Sequence, residues 1–418
     1  MPGASLVSTQ TRVEVPFIIV KIGEYTFGHC SRSTNTVGAD TRLDITFPNY
    51  MDKINIMKVN GAVNTYNISM VYAITETDDP NLLEKVFSSV SQSREITISY
   101  GDWNAPSFIY KEEQALITKI ATNVDFKGSK ITYTITCVST CLALKSGTFT
   151  FGARTAKPSD VIFELLSNKA YGLFNIFTGM SNLTTVRNKN FIATNDKPVQ
   201  LLEKTNINIL DYISYLVSCM VDINDKGLTL KDTTFYWAVY DDINNEYGGA
   251  YFKVISVTAG SKYNITYNTY EVDVGYPSGS YITDFSINED NSWSILYDYA
   301  QKIKFPEYNY SIDKHGNIIS SFSPSVTSSA KYLTTTEPDR TWWSEVTQFP
   351  ITAKLTIKGL LRPAILMDYV KINTYFYGHK HISSGLYIIT KQEDSISSAG
   401  YKTTLTLTRL SGDENERP

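Results

Sequence analysis

The chain has 418 residues, of which 42% are hydrophobic and 19% charged, and its formal net charge is −4 at pH 7. This composition supports packed cores rather than disorder, and the length predicts about two to four domains. The charge excludes the basic footprint that binding to nucleic-acid phosphates normally requires. The 29 tyrosines, together with many threonines and isoleucines, favour β-structure.

Residues 1–155 are predicted to form a β-module that carries one helix. Apolar residues alternate with mostly polar neighbours from Val13 to Ile19 and again from Leu43 to Phe47, as in strands with one buried face. A helix is predicted from Asp79 to Val90, because an aspartate before Pro80 is a favourable helix start.

Residues 156–235 are predicted to form a small α/β domain. One helix begins near Pro158, and a second covers roughly 208–221; both carry an apolar stripe at helical spacing. Gly227 leads into a short predicted strand at Leu228–Leu230.

Residues 236–418 are predicted to form a second β-module with an insertion. Tyr251–Val257 has the pattern of a strand, the serine-rich stretch Ser320–Ala330 is predicted to be a loop, and clear β-alternation resumes after residue 346. The fold class predicted for the whole chain is therefore mainly β with α+β insertions.

One strand–turn–strand pattern occurs twice in the chain, 272 residues apart. Residues 116–137 and 388–409 align without a gap and share eight identities in 22 positions, including Lys119 with Lys391 and Gly128 with Gly400. The two glycines are predicted turn positions where φ is positive. We assign Gly128, Gly400, Lys119 and Lys391 to the turns of a structural repeat, which is more typical of a pseudo-symmetric building block than of an enzyme with one site.

Residue patterns for catalysis or metal binding are weak, so no catalytic, metal or cofactor site is predicted. His379 and His381 could share one face of a strand, but no third ligand lies near them in sequence. The pairs Asp78-Asp79 and Asp241-Asp242 lie beside turn-forming residues, which favours turn or cap roles over a glycosidase pair. Trp342-Trp343 fits a protein–protein surface better than a sugar-binding site, because no acid–base pair accompanies it.

Cysteine usage indicates a reducing compartment, and the hydropathy of the chain indicates no membrane span. The four cysteines, Cys30, Cys137, Cys141 and Cys219, fit neither a metal framework nor a disulfide scaffold. The N-terminal sequence lacks the pattern of a signal peptide, and the longest apolar stretch, near residues 209–221, is too short and polar to span a bilayer. The chain is therefore expected to be made in a cytoplasm without a membrane span.

Four segments near the C-terminus resemble the closing β-barrel of phage baseplate hub proteins. They are Leu355–Gly359, Met367–Ile372, Gly385–Ile389 and Gly400–Leu405. Together they are similar to the late control protein D family of contractile-tailed phages and related injection machines. The middle of the chain resembles the same family, with a helix that opens at Ser159–Ile162, then a leucine-rich helix, and then Gly227–Leu230.

The resemblance implies two β-barrels in one chain, each similar to the tail tube subunit. Three copies would present six barrels in a ring and would join a six-fold tail tube to a three-fold central spike. The implied partners are the spike protein, the tail tube or a tube initiator, the tape measure protein and the baseplate wedge proteins. DNA would pass through the lumen without specific binding, and the chain would belong to the virion tail baseplate, assembled in the host cytoplasm.

The sequence leaves three alternatives open. The chain could be another tube-like tail protein, such as a tube initiator or a distal tail protein. It could be a carbohydrate-binding adhesin that uses exposed Trp and Tyr. It could be an enzyme on a β-scaffold, although nothing in the sequence pairs two carboxylates.

Overall fold

A computed structural model describes most of the chain between residues 16 and 412. The described residues are 16–30, 47–48, 51–73, 88, 90, 93–102, 109–167, 192–193, 196–220, 233–241, 251–258, 268–274, 282–289, 307–312, 318–323, 351–358, 366–381, 383–397 and 399–412.

The described residues are mainly in β-strands, which confirms the predicted fold class. In chain order the strands are β1 (Pro16–Ile22), β2 (Tyr25–Cys30), β3 (Phe47–Pro48), β4 (Met51–Val59), β5 (Thr65–Ala73), β6 (Glu95–Asp102), β7 (Ile109–Asp125), β8 (Lys130–Ser139), β9 (Phe149–Phe151), β10 (Arg154–Ala156), β11 (Ile192–Ala193), β12 (Val199–Leu201), β13 (Lys204–Ile207), β14 (Thr233–Tyr240), β15 (Tyr251–Thr258), β16 (Asn268–Val274), β17 (Ile282–Glu289), β18 (Glu307–Ile312), β19 (Ile318–Ser323), β20 (Ile351–Lys358), β21 (Tyr369–Phe376), β22 (His379–Lys380), β23 (Gly385–Ser397) and β24 (Gly400–Gly412).

Both helices predicted for the middle of the chain are present, at Pro158–Ser167 and Ile209–Ser218. The second helix begins after Asn208, whose side-chain oxygen accepts a hydrogen bond from the backbone N–H of Asp211. A 3₁₀ helix covers Thr140–Lys145. The helix predicted at Asp79–Val90 lies largely outside the described residues, although Val90 is helical and fully buried.

Two further predictions have different outcomes. The loop predicted at Ser320–Ala330 is wrong at its start, because β19 extends to Ser323 and pairs with β18. The antiparallel pairing with β18 satisfies the backbone groups of these residues. The strand predicted at Leu228–Leu230 lies outside the described residues.

A single sheet of 15 strands dominates the fold. Its main path runs β17-β20-β24-β23-β4-β5-β8-β7-β6-β1-β2-β3, and β16, β21 and β22 branch from it through the β21–β23 pair. Most neighbours are antiparallel; the β16–β21 and β2–β3 pairs are parallel. Closure of the two predicted barrels stays a prediction.

Buried apolar side chains form three clusters. The first cluster lies mainly within residues 18–137, the second contains the two helices, and the third lies within residues 236–410. Strand β14 separates the last two clusters, because Trp237 and Val239 face the helices whereas Tyr236 and Ala238 face the third cluster. The predicted boundaries at 155/156 and 235/236 stay predictions.

Two groups of four neighbouring strands share the same order and have two bulges at equivalent positions. The groups are β4-β5-β8-β7 and β17-β20-β24-β23. The β4–β5 register shifts at Asp52, and the β17–β20 register shifts at Thr283. The β7–β8 hairpin shifts at Thr118, and the β23–β24 hairpin shifts at Thr390. The repeat found in the sequence is therefore part of a larger four-stranded repeat, in which Lys53 corresponds to Asp284.

The gapless alignment of the sequence repeat is wrong for the second strand of each hairpin. Lys119 pairs with Thr136, and Lys391, its counterpart, pairs with Thr406. Thr136 therefore corresponds to Thr406 and not to Thr408. Threonine occupies every second position in both strands, and side chains alternate between faces with a period of two. A shift of two residues consequently leaves the pattern unchanged, and the sequence does not reveal it.

Candidate assembly interface

The two four-stranded groups are joined edge to edge within the chain. Strand β23 pairs with β4 over seven residues, from Lys391 opposite Val59 to Ser397 opposite Lys53. At the end of this pairing, the backbone N–H of Asn60 donates to the carbonyl of Thr390 at 2.9 Å. We call this β23–β4 pairing the internal junction.

Apolar side chains of β23 and β24 complete the core of the first group across the internal junction. Ile396 is 1% exposed, and Tyr401 is also buried in the first cluster. The ring of Tyr401 packs edge-on against that of Tyr100, with centroids 6.2 Å apart. Ile54 on β4 is fully buried beside them. The cores of the two groups are therefore continuous at this point.

A buried carboxylate on β7 is the centre of a polar network next to the internal junction. Glu113 forms an ion pair with Lys58 of β4, and it accepts hydrogen bonds from Tyr66 at 2.6 Å and Tyr100 at 2.7 Å. Burial alone would raise the pKa of Glu113, but the Lys58 ammonium and the three hydrogen bonds hold that pKa below its usual value. The pKa of Lys58 is raised above its usual value. Burial lowers this pKa, but the attraction of the surrounding carboxylates, led by Glu113, outweighs that effect.

A second buried carboxylate, Asp241, follows β14 and is linked to this network through Tyr66. It accepts hydrogen bonds from Ser139 at 2.6 Å, Asn64 at 2.8 Å and Tyr66 at 3.0 Å. Burial, together with the charge of Glu113, raises the pKa of Asp241 to about 6 against the opposing effect of these hydrogen bonds. The turn or cap role predicted for Asp241 is wrong, since its side chain is buried against β5 and β8.

A third buried carboxylate, Asp394, lies on the β23 side of the internal junction. It accepts hydrogen bonds from Gln392 at 2.7 Å, Tyr401 at 3.1 Å and Thr403 at 2.5 Å. Its charge also raises the pKa of Lys58. Three carboxylates from three parts of the chain therefore raise the pKa of Lys58, and Glu113 also contacts it directly. Each carboxylate accepts hydrogen bonds from donors of the chain itself. This arrangement fixes strands relative to one another.

We expect the stability of the fold to fall as Asp241 loses its proton. Because the folded-state pKa is raised, the folded chain binds this proton more tightly than the unfolded chain. The resulting stabilisation is complete below about pH 4 and is lost as the pH rises through about 6. Relative to an Asp241→Asn variant, wild type should lose about 2–3 kcal/mol of unfolding free energy between pH 4 and pH 7. Unfolding of both proteins across this range checks the prediction, and a difference that does not vary with pH would contradict it.

Two of the four predicted repeat positions lie in strands instead of turns. Lys119 and Lys391 follow the bulged residues Thr118 and Thr390 within β7 and β23. Each bulged threonine donates its hydroxyl to a backbone carbonyl of the partner strand, Thr118 at 3.0 Å and Thr390 at 3.3 Å. The shared Ile-Thr-Lys sequence therefore marks a β-bulge, which bends and twists each long strand at the same place.

The two predicted turn glycines differ in conformation. Gly400 has φ 121°, as expected for a position that requires glycine. Gly128 lies in a turn, but the positive φ of 45° belongs to its neighbour Ser129, so that part of the prediction is wrong. The difference follows from turn length. In the first hairpin the last pair is Asp125 with Lys130. In the second hairpin the last pair is Ser397 with Gly400, so its turn is two residues shorter.

Replacing Gly400 with alanine should lower the unfolding free energy by about 1–3 kcal/mol, because its φ is strained for a residue with a Cβ. Gly152→Ala is the matched control, since an added Cβ there meets nothing within 4 Å and φ is ordinary. Thermal unfolding of both variants measures the difference. Equal midpoints would contradict the assigned role of Gly400.

The remaining candidates from the sequence do not form a site among the described residues. His379 lies on β22 and is exposed, whereas His381 lies beyond that strand and its Nδ1 lies 2.8 Å from the hydroxyl of Ser383. In the part of the chain that the structure describes, no group of three or more His, Cys, Asp or Glu residues could hold a metal ion. Cys137, Cys141 and Cys219 are buried, and none of the three forms a disulfide. Asp78, Asp79, Asp242, Trp342 and Trp343 lie outside the described residues.

The buried network was not predicted from the sequence, although the sequence contains one signal for it. Glu113 alternates with Ala115 and lies on the same buried face of β7. Asp394 likewise alternates with Ile396 on β23. A carboxylate in the apolar register of a strand requires a buried partner. Nothing in the sequence identifies Lys58 as that partner, because it lies 55 positions from Glu113.

The fold is that of a phage tail protein. The chain is similar to a tail protein from Neisseria meningitidis MC58, with 7% sequence identity and a TM-score of 0.50 over 94% of this chain and 96% of that one. It is also similar to the 43 kDa tail protein of prophage MuSo2 from Shewanella oneidensis, with 10% identity and a TM-score of 0.49 over 95% and 97% of the two chains. A further match is the E. coli c3393 protein, a component of the type VI secretion system, with 10% identity and a TM-score of 0.44 over 88% and 76%.

The resemblance to tail proteins is therefore confirmed at the level of the fold. No protein-family model and no curated protein matches the chain by sequence. Among the described residues, no helix has both the length and the apolar character needed to cross a bilayer.

Proposed function

We propose that the chain is a structural tail protein, three copies of which form a ring-shaped hub between a six-fold tail tube and a three-fold central spike. The observation that carries this proposal is the four-stranded repeat. Each copy contains two groups of strands with the same order and the same two bulges, and the internal junction joins them side by side.

Two equivalent groups per chain give a trimer six equivalent positions. A ring of three copies then offers six repeated surfaces to a six-fold partner, while every other part of the chain occurs three times. The helical middle segment and the segments outside the repeat would form the three-fold side. The proposed partners are accordingly a tail tube or tube initiator protein on one side and a spike protein on the other, with tape measure and baseplate wedge proteins nearby.

The proposed role is mechanical and does not involve catalysis. The three buried carboxylates, Glu113, Asp241 and Asp394, are the strongest candidates for chemistry among the described residues. All three are buried, and each accepts hydrogen bonds from at least two side chains of the chain itself. Such a network positions strands and leaves these groups inaccessible to a substrate.

The mass of the purified chain in solution tests the proposal. Light scattering should give about three times the chain mass of 47.0 kDa. A hexamer would instead favour a tube or tube initiator protein. A monomer that binds immobilised glycans would favour an adhesin, and either result would overturn the trimeric hub.

A further inference from the structure

One half of β7 is an exposed strand edge in the described structure. Residues 109–116 of β7 pair with β6, but residues 117–125 pair only with β8 among the described strands. Nearly all side chains from Thr118 to Asp125 are exposed. Val124 is 42% exposed, and Phe126 at the hairpin tip is 89% exposed. An open edge that carries apolar side chains is a template for pairing with another strand.

The repeat shows what covers this edge in the other group. The counterpart of the exposed half of β7 is residues 391–397 of β23, and that segment pairs with β4 at the internal junction. The effect on burial is large. Ile396, the counterpart of Val124, is 1% exposed, compared with 42% for Val124. In each chain, this strand position is therefore covered by a neighbouring strand in β23 and exposed in β7.

The counterpart of β4 is also an open edge. Strand β17 corresponds to β4 by its position and by its bulge, and it pairs only with β20 among the described strands. Ile56 of β4 is 1% exposed, whereas its counterpart Ile287 is 38% exposed. Phe285, the counterpart of the fully buried Ile54, is only half-buried. Each chain thus has both halves of a second junction, and the two halves are not paired with each other.

We propose that the exposed half of β7 in one copy pairs antiparallel with β17 of the next copy, in the register of the internal junction. This inference rests on the proposed trimeric ring and specifies its contact. At the internal junction, Ser395 lies opposite Asn55, and Ser397 lies opposite Lys53. The corresponding pairs between copies are Asn123 opposite Ser286, and Asp125 opposite Asp284. Val124 then lies opposite Phe285, where it joins the core of the neighbouring copy as Ile396 does within the chain.

The chemistry of the two edges is compatible with this register. Pairing satisfies the open backbone groups of both strands and removes Val124, Phe285 and Ile287 from water. Only Asp125 and Asp284 would place like charges opposite each other. The carboxylate of Asp125 turns into its own hairpin tip, where it accepts hydrogen bonds from the N–H groups of Lys127 at 3.1 Å and Gly128 at 3.2 Å. Because β7 and β17 are different surfaces, the contact runs head to tail, and in the proposed trimer it closes a ring after three copies.

Disulfide formation between paired positions tests the register. In a Cys30→Ser background the remaining thiols, Cys137, Cys141 and Cys219, are buried. A chain with Asn123→Cys and Ser286→Cys should form covalent dimers and trimers on mild oxidation, with loss of most of the monomer band on a non-reducing gel. The equivalent internal pair, Asn55→Cys with Ser395→Cys, is the positive control and should form a disulfide within each monomer.

A displaced pair is the negative control. Lys119→Cys with Ser286→Cys separates the thiols by four residues along the strand, roughly 13 Å, which is too far for a disulfide. Cross-linking of the displaced pair in place of the predicted pair would overturn the register. A trimer by mass without any β7–β17 cross-link would overturn this inference and leave the trimeric ring intact. A monomer by mass without a cross-link would overturn both.

Discussion

Replacing Glu113 with alanine should lower the unfolding free energy by about 3–5 kcal/mol. The substitution leaves the Lys58 ammonium buried without its counter-ion, and it removes the acceptor of the Tyr66 and Tyr100 hydroxyls. Breaking a buried ion pair by removing one partner has a cost of this size. The thermal midpoint and the yield of soluble protein are the measurements, and both should fall sharply.

Two comparisons make the Glu113 result specific. Glu95→Ala removes an exposed glutamate from the adjacent strand β6 and should change the unfolding free energy by less than about 0.5 kcal/mol. The double variant Lys58→Met with Glu113→Gln removes both charges and should recover part of the loss. A Glu113→Ala protein as stable as Glu95→Ala would show that the network does not hold the strands together.

Replacing Ile396 with alanine should lower the unfolding free energy by about 2–5 kcal/mol, since the side chain is 1% exposed in the core of the other strand group. The destabilised chain should unfold by separation of the two four-stranded groups, because Ile396 lies at the internal junction that joins them. Limited proteolysis and thermal unfolding would detect this effect.

The repeat provides a matched control for Ile396. Val124 occupies the same strand position, but it is 42% exposed in the single chain. At concentrations where the chain is monomeric, Val124→Ala should therefore cost less than about 1 kcal/mol. In the ring it should weaken assembly instead. Equal losses of monomer stability for the two variants would contradict the equivalence of the two positions.

Local patterns in the sequence were sufficient for the fold class. The mainly β character, the helices at Pro158–Ser167 and Ile209–Ser218, and the repeated hairpin all follow from signals within a few neighbouring residues. A helix stripe or a strand alternation is visible because its period is local. The sequence also identified the Ile-Thr-Lys motif, although its role as a bulge needed the register of the partner strand.

The details that the sequence did not predict depend on contacts between distant residues. The structural correspondence between β8 and β24 differs by two residues from the gapless sequence alignment. The alternating threonines conceal this difference. Asp241 resembles a turn residue locally, yet Ser139 and Asn64, which lie more than 100 positions earlier, donate hydrogen bonds to it. The internal junction pairs Lys391 with Val59, and no local pattern indicates such a contact.

A cryo-electron microscopy map of the purified chain, at a resolution that separates strands, tests the proposed ring most directly. We expect three copies with six similar strand groups around a central hole, in which β7 of each copy pairs with β17 of the next. Six junctions should alternate around the ring, three within chains and three between them. A particle in which the β7 and β17 edges remain uncovered, or in which the number of copies is not three, would overturn the proposed hub.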